Sequence, residues 1–193
     1  MKKPYRNALR SRAMIREAFI SLLTEKPIDK ITVVDIVQRS NLSRNTFYAH
    51  YQDVYAVLEE YQQEALEALA QALDTAAAEK QLSDPLPLLL KAASFVTTHR
   101  ESYCVLLKAT SAGPFIARMR SMLISFIQAR LDHAPVTDRQ GLLVLIEVLC
   151  AGFVTLITQY LEGQSDLTPE DIATEIDRIY RAALPLYFRE VSP

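Results

Sequence analysis

The residues best suited to recognise another molecule lie together on one face of a short predicted helix. Arg44, Asn45 and Tyr48 fall on the side opposite Phe47 and Tyr51, which are four residues apart. A guanidinium group can bind the N7 and O6 atoms of guanine, and an asparagine amide can pair with adenine. This face therefore has the chemistry needed to read DNA. The alternative is an ordinary solvated helix surface.

Catalytic and metal-binding chemistry finds little support by comparison. The four glycines never take the spacing of a dinucleotide-binding, P-loop or hydrolase motif, and the three histidines form no i,i+4 metal pair. Cys104 and Cys150 lie outside any C-x-x-C pattern, so neither a disulfide framework nor a zinc site is expected. We predict a cytoplasmic protein that is not an enzyme and that uses no metal or cofactor.

Charge is divided unevenly along the chain. The 193 residues include 21 Lys and Arg and 23 Asp and Glu, for a net charge of -2. Residues 1–52 hold ten of the basic residues and four of the acidic ones, so this part carries +6 and the remainder carries -8. A basic head on an acidic body favours a nucleic-acid-binding module joined to a second domain. The alternative is chance segregation of solvated charges.

One segment could be mistaken for a membrane span. Residues 142–157 are mostly apolar, but Glu147 and Thr155 interrupt them, and the run is shorter than the roughly 18 to 20 apolar residues that a span needs. The basic stretch from Lys2 to Arg16 is followed by an amphipathic pattern, so no signal peptide is expected. We predict a buried helix over residues 142–157 and no membrane association.

The composition predicts an all-helical chain, because glycine is scarce and Ala, Leu, Glu and Arg are abundant. An amphipathic helix is expected over about residues 7–25, and Pro27 closes it. Thr32 followed three residues later by Asp35 is a capping box, which indicates the start of a short helix that ends near Ser40.

A tight turn and a second short helix are predicted next. Asn41 tolerates the left-handed conformation that such a turn needs. Ser43 is a natural N-cap for a helix over residues 44–50. The two short helices with their turn form a helix-turn-helix, in which residues 44–50 occupy the recognition position.

The rest of the chain is predicted as a helical body. A long helix from Asp53 to about Lys80 connects it to the helix-turn-helix. Further helices are separated by Pro and Gly breaks and are expected over residues 86–97, 101–110, 114–131 and 138–161. The last helix has Thr168 as its N-cap and Pro169 at its first position. We predict a helix-turn-helix domain over residues 1–52 and an all-helical domain over residues 53–193.

Residues 31–57 resemble the TetR/AcrR family of one-component transcriptional regulators. The family's turn and its Thr-Phe-Tyr-x-His-Phe motif are matched by Ser40-Asn41-Leu42-Ser43 and by Thr46-Phe47-Tyr48-Ala49-His50-Tyr51. Including the basic first helix, the similarity covers about the first quarter of the chain. The resemblance implies an all-α fold, in which a three-helix DNA-binding domain is joined by a long helix to a bundle that binds an effector and dimerises.

The resemblance also implies which residues contact double-stranded DNA. They are Thr32, Arg44, Asn45, Thr46, Tyr48 and His50. Lys3, in the basic N-terminal segment, is added as a phosphate or minor-groove contact. The sequence departs from the family pattern in two places: Asn41 stands where a Gly is usual, and Val54 stands where a phosphate-binding Lys is usual.

A homodimer through the last two helices is predicted from the apolar pattern. Residues 142–157 are apolar nearly all round, and a body of this size rarely encloses a helix on every side. A two-fold dimer also supplies a second recognition helix about one DNA turn away, as a palindromic operator requires. The alternative is a monomer whose core surrounds this helix.

Bulky, adaptable side chains are concentrated in the body, where the resemblance implies a small-molecule pocket. The candidate pocket residues are Phe95, Tyr103, Met119, Met122, Phe126, Glu147 and Cys150. Such residues at helical spacing more often form a core. Glu147 is the strongest candidate, because a carboxylate in an apolar helix requires a partner. That partner is either an effector or an N–H or Arg group within the fold or across the dimer.

These observations together favour a ligand-responsive, homodimeric DNA-binding regulator. A repressor that a small-molecule effector releases is the leading hypothesis. The alternative is a coactivator or adaptor of the same fold that works through a protein partner; the absence of the usual Lys at Val54 favours it and the +6 head opposes it.

Overall fold

The computed structural model describes residues 3–77, 85–108, 112–131 and 136–187, and these ranges form nine α-helices. The helices are α1 (Lys3–Glu25), α2 (Val33–Ser40), α3 (Arg44–Tyr48), α4 (Val54–Ala77), α5 (Leu86–Thr98), α6 (Arg100–Lys108), α7 (Ala112–Leu131), α8 (Arg139–Leu161) and α9 (Pro169–Ala183). Short 3-10 turns follow α1 at Ile28–Lys30 and α9 at Leu184–Leu186. The predicted all-α fold is confirmed.

The chain divides into two compact units. The first contains residues 1–65 and 105–112, and the second contains residues 66–104 and 113–193. The first unit therefore includes the helix-turn-helix and the opening turns of α4.

The first unit is built around side chains that are removed from water. Ile15 and Phe19 of α1, Ile36 of α2, Phe47 of α3 and Val57 of α4 are all buried. Full burial of one such side chain contributes about 1.5 to 3 kcal/mol. Helix α1 packs on both α2 and α3, so α3 rests on an apolar base.

In the second unit, α9 packs against α5 and α8. The Thr168 hydroxyl accepts the N–H of Asp171, and the Asp171 carboxylate accepts the N–H of Thr168, so the predicted N-terminus is a complete capping box. The hydrogen bonds from Thr168 lower the pKa of Asp171. Pro169 occupies the first turn as predicted, and Ile172 and Ile176 are buried.

Some predicted boundaries shift by one or two residues. Helix α3 ends at Tyr48 instead of His50, because the His50 N–H donates to the carbonyl of Phe47 at 2.9 Å and the chain turns there. Helix α4 begins after Asp53, whose Oδ1 accepts the N–H of Ala56 at 2.8 Å. The expected ends of α4 at Lys80 and of α6 at Thr110 lie outside the described residues.

Candidate nucleic-acid interface

The turn between α2 and α3 has the predicted left-handed geometry. Asn41 adopts φ 53° and ψ 39°, and its N–H donates to the carbonyls of Gln38 and Val37. The next N–H, that of Leu42, donates to Val37 at 3.0 Å. Asn is among the residues that reach this conformation with the least strain, so the substitution for the family's Gly preserves the turn.

Ser43 caps α3 as predicted. Its Oγ accepts the N–H of Thr46 at 3.0 Å and lies 2.8 Å from the Thr46 hydroxyl. This bond satisfies one of the unpaired amides at the start of α3. The contact between the two hydroxyl groups also uses part of the hydrogen-bonding capacity of Thr46, which is half-buried.

Helix α3 has one buried face and one exposed polar face. Phe47 is fully buried, and its ring meets the ring of Tyr48 edge-on with centroids 5.5 Å apart. Arg44 and Asn45 are exposed, and Tyr48 is 57% exposed. The structure therefore brings Arg44, Asn45 and Tyr48 together on the open side of α3, and we call these three residues the α3 surface.

Thr32 lies at the N-terminus of α2 in a second complete capping box. Its Oγ1 donates to Asp35 Oδ2 at 2.8 Å and accepts the N–H of Asp35 at 3.2 Å. A hydrogen bond from Lys26, whose Nζ lies 2.8 Å from Asp35, together with the bonds from Thr32, lowers the pKa of Asp35 to about 2. Thr32 is exposed, and its hydroxyl oxygen keeps one lone pair beyond these two bonds.

The remaining predicted contacts differ in how they are placed. His50 follows α3 and is half-buried, with its ring centroid 6.4 Å from that of Tyr51. Lys3 is the first residue of α1, and its side chain lies outside the described part of the chain. Val54, where the family has a Lys, is buried at the start of α4 and adds to the core.

Most of the described basic side chains of the head are held in ion pairs within the first unit. The pairs are Arg12–Glu60, Arg16–Glu64, Lys26–Asp35, Lys30–Asp29 and Arg39–Glu25. Arg39 binds both oxygens of Glu25, at 2.6 and 2.9 Å. Among the described residues, the exposed Arg10 and Arg44 have no ion-pair partner. The net charge of +6 therefore overstates the number of cations that are available to phosphate.

Sequence reasoning missed a polar network behind α3. The Tyr51 hydroxyl donates to Glu60 Oε1 at 3.0 Å, and Arg12 Nη2 lies 2.5 Å from Glu60 Oε2. A signal was present, because Arg12 and Arg16 repeat the four-residue spacing of Glu60 and Glu64. Two helices with complementary charges at that spacing are able to form a ladder of ion pairs.

The candidate pocket residues are spread over four helices of the second unit. Tyr103, Met119 and Cys150 are buried, while Phe95, Met122 and Phe126 are half-buried. Tyr103 packs near Phe115 with ring centroids 6.2 Å apart, and Phe95 stacks on His99 at 4.2 Å.

Glu147 is placed differently from the buried carboxylate that the sequence suggested. Its side chain is 55% exposed, and Oε1 lies 4.0 Å from Nε of Arg120 on α7. An arginine within the fold is thus the partner that the structure provides.

Burial of Cys150, with a smaller effect from the Glu147 charge, raises the pKa of its thiol to about 12, so this cysteine is poorly suited to redox sensing.

Helices α8 and α9 expose apolar side chains on the second unit. Val144 and Val148 of α8 are each about 60% exposed, and Ile179 of α9 and Leu186 are also exposed. We call these four residues the α8/α9 surface.

Helix α8 is long and apolar enough to cross a membrane, with 39% of its most apolar stretch buried in the chain. Helices that pack in soluble proteins pass the same test.

Comparisons with known proteins give the fold a name. No family model matches the chain. The TetR transcriptional regulator of Streptococcus agalactiae 2603V superposes with a TM-score of 0.69 at 24% identity, covering 91% of this chain and 96% of that one. The chain has the TetR-family fold. The resemblance seen in residues 31–57 is therefore confirmed at the level of the fold.

Other solved structures share the TetR-family fold. The dihydroxyacetone kinase operon activator DhaS has a TM-score of 0.64 at 14% identity, covering 93% of this chain and 98% of that one. The TetR family repressor AlkX of Dietzia sp. strain DQ12-45-1b has a TM-score of 0.55 at 15% identity, covering 91% and 98%. These proteins are named as regulators of transcription.

One curated protein is similar in sequence. The uncharacterized HTH-type transcriptional regulator YxbF of Bacillus subtilis (strain 168) is 29% identical over 102 residues, which is 49% of this chain and 26% of that protein. The chain thus spans about a quarter of the length of this relative.

Proposed function

We propose that the protein is a cytoplasmic, DNA-binding regulator of transcription. The observation that carries this proposal is the α3 surface, where Arg44, Asn45 and Tyr48 stand exposed on a capped and anchored helix. Arg44 and Asn45 supply the two side chains that read guanine and adenine edges in the major groove. Residues 1–52 act as the DNA-binding domain in this proposal, and residues 53–193 act as the effector-binding and dimerisation domain.

The other predicted contacts would orient the domain on the phosphate backbone. Thr32 keeps a hydroxyl lone pair at the start of α2, and Tyr48 and His50 flank the end of α3. Thr46 would share its hydroxyl with Ser43. Lys3 would add a sequence-independent charge contact. Such contacts set register and carry no sequence information by themselves.

A homodimer through the α8/α9 surface would present two recognition helices to a palindromic operator. Exposed Val144, Val148, Ile179 and Leu186 offer apolar area that a second copy would remove from water. Two-fold symmetry lets the same surface serve both subunits. Each apolar side chain that becomes fully buried contributes about 1.5 to 3 kcal/mol, which supports association.

Release of DNA by a small-molecule effector is the regulation we propose for the body. The effector would contact half-buried side chains that can adjust their rotamers, such as Met122, Phe126 and Phe95. In this proposal the DNA-bound protein is a repressor, and displacement of DNA by the effector relieves the repression.

A coactivator or adaptor that works through a protein partner is the second candidate. Two observations favour it: Val54 is buried where the family has a phosphate-binding Lys, and most of the described cations of the head are paired internally. Such a protein would bind no duplex tightly.

A gel-shift assay with the DNA that flanks its own gene tests the proposal. Wild type is expected to shift a specific duplex in the presence of excess random DNA, and Arg44→Ala is expected to need a higher protein concentration for this shift. A folded wild-type dimer that shifts neither this DNA nor any duplex selected from a randomised library would contradict a DNA-binding role and favour the adaptor.

A further inference from the structure

The network behind α3 connects three separate elements through a single carboxylate. Glu60 of α4 uses Oε1 to accept the hydroxyl of Tyr51 at 3.0 Å and uses Oε2 to accept Nη2 of Arg12 at 2.5 Å. Arg12 belongs to α1, and Tyr51 lies three residues beyond the end of α3. The three side chains therefore join the end of the recognition helix to α1 and α4.

Tyr51 is coupled closely to α3. Its N–H donates to the carbonyl of Phe47 at 2.9 Å, and the rings of Phe47 and Tyr51 have centroids 5.8 Å apart. Helix α3 has five residues, and a helix this short has little stability of its own. Its position must come from what its ends and its buried face contact, and Tyr51 supplies the contact at one end.

The hydrogen bonds of this network are strong enough to hold one end of α3, because they involve charged groups. Tyr51 is buried, and its burial raises the pKa of the phenol, although a hydrogen bond from Arg12 partly offsets this effect. The phenol therefore stays protonated and remains a hydrogen-bond donor at neutral pH. The hydrogen bond to Glu60 raises the pKa of Arg12, which stays charged. Hydrogen bonds to charged groups are stronger than neutral ones, and Glu60 is only 23% exposed.

A second ion pair provides a comparison within the same two helices. Arg16 and Glu64 lie one helical turn beyond Arg12 and Glu60 and also join α1 to α4. Among the described residues, no tyrosine links this pair to α3. The pair therefore has the charge and the helix-to-helix link of the first pair without the connection to the recognition helix.

We propose that Tyr51 and Glu60 are positioning residues that hold the recognition helix at a fixed place against α1 and α4. The inference rests on the proposed DNA-binding function and extends it to specificity. A fixed recognition helix tolerates only one distance between the two half-sites of an operator. Loss of the network would weaken binding and broaden the range of half-site spacings that the protein accepts, with base preference unchanged because Arg44 and Asn45 remain.

The test compares Tyr51→Phe and Glu60→Ala with Glu64→Ala as the matched control. Duplexes are selected with wild type from a randomised library, and affinities are then measured for the selected operator and for versions with one base pair added or removed between the half-sites. Amide hydrogen exchange at Ala49, His50 and Tyr51 is measured without DNA, and thermal unfolding shows that each variant is folded.

Tyr51→Phe and Glu60→Ala are expected to lose about tenfold in affinity for the selected operator, since each breaks a hydrogen bond to a charged group. They should discriminate less against altered spacing and exchange the three amides faster. Glu64→Ala should match wild type in spacing preference and exchange. Equal behaviour of Tyr51→Phe, Glu60→Ala and Glu64→Ala would overturn the proposal. If wild type bound no duplex, the DNA-binding function would fail, and the exchange data would still show separately whether the network holds α3.

Discussion

The α3 surface and the α8/α9 surface both expose side chains that are suited to a partner, and they do so with opposite chemistry. The α3 surface offers a guanidinium, an amide and a phenol, whereas the α8/α9 surface offers two valines, an isoleucine and a leucine. Hydrogen-bonding groups are directional and discriminate between partners, while apolar contact depends on area and fit. Under the proposed function, sequence specificity and dimer assembly would depend on different surfaces of the chain.

Residues 1–52, the basic head, also contain two groups of residues with different surroundings: cations that are held in ion pairs and cations that are not. Arg39 is held by Glu25, whereas Arg44 has no ion-pair partner among the described residues. Pairing with Arg39 lowers the pKa of Glu25, so this carboxylate stays ionised and retains its partner. Cations of the first kind support the fold, and in the proposed function those of the second kind would contact DNA.

The largest expected effect comes from a charge placed on the α8/α9 surface. Val148→Arg should abolish dimerisation and lower operator affinity by more than about a hundredfold, because the two-fold axis would bury two like charges. Light scattering and gel shifts measure both effects. Thr174→Arg is the control, since Thr174 lies about 140° around α9 from Ile179 and is also exposed. A Val148→Arg protein that remained a dimer would place the dimer contact elsewhere.

A change on the α3 surface should alter sequence preference instead of assembly. Arg44→Ala is expected to cost about 1 to 3 kcal/mol for each lost bidentate base contact and to relax discrimination at one position of each half-site. Affinities for operators that are substituted at each position measure this. An unchanged ranking of operator variants would show that Arg44 does not read a base.

Salt dependence should separate cations that contact phosphate from cations that are held in ion pairs. Lys3→Ala should weaken binding to all sequences about equally and should reduce the slope of log K against log salt by about 1 per subunit. Arg39→Ala should leave this slope unchanged, because Arg39 is already held by Glu25. Equal changes in the two variants would show that ion pairing does not withdraw cations from DNA binding.

The smallest expected effect concerns the two capping boxes and their dependence on pH. The pKa of Asp35 is lowered to about 2 and that of Asp171 is also lowered, so each stabilises the folded state when ionised. This contribution is complete above pH about 4 and is lost as the pH falls toward the folded-state pKa. Asp35→Asn should lower Tm at pH 7, and this difference from wild type should shrink between pH 4 and pH 2.

Asp171→Asn is the companion measurement. Its effect on Tm is expected to be smaller, because Lys26 gives Asp35 an additional ion pair and no described residue gives one to Asp171. A difference from wild type that stayed constant down to pH 2 would contradict the assigned role of these carboxylates.

Much of the fold could be predicted because its signals are local. The capping boxes at Thr32 and Thr168, the left-handed Asn41 and the N-cap at Ser43 each depend on residues within about four positions. The exposed face of α3 follows from helical periodicity alone. By contrast, Glu147 was expected to be buried because α8 is apolar on most sides, and periodicity does not show which side remains open.

The sequence by itself determined the helices, their caps, the helix-turn-helix and the excess of basic residues in the head. Only the tertiary structure decided which of those basic residues are paired and which are available, and it revealed the link from Tyr51 through Glu60 to Arg12. The physical reason is separation along the chain. A cap joins residues three apart, whereas Arg12 and Glu60 are 48 residues apart and meet only after α1 and α4 have packed together.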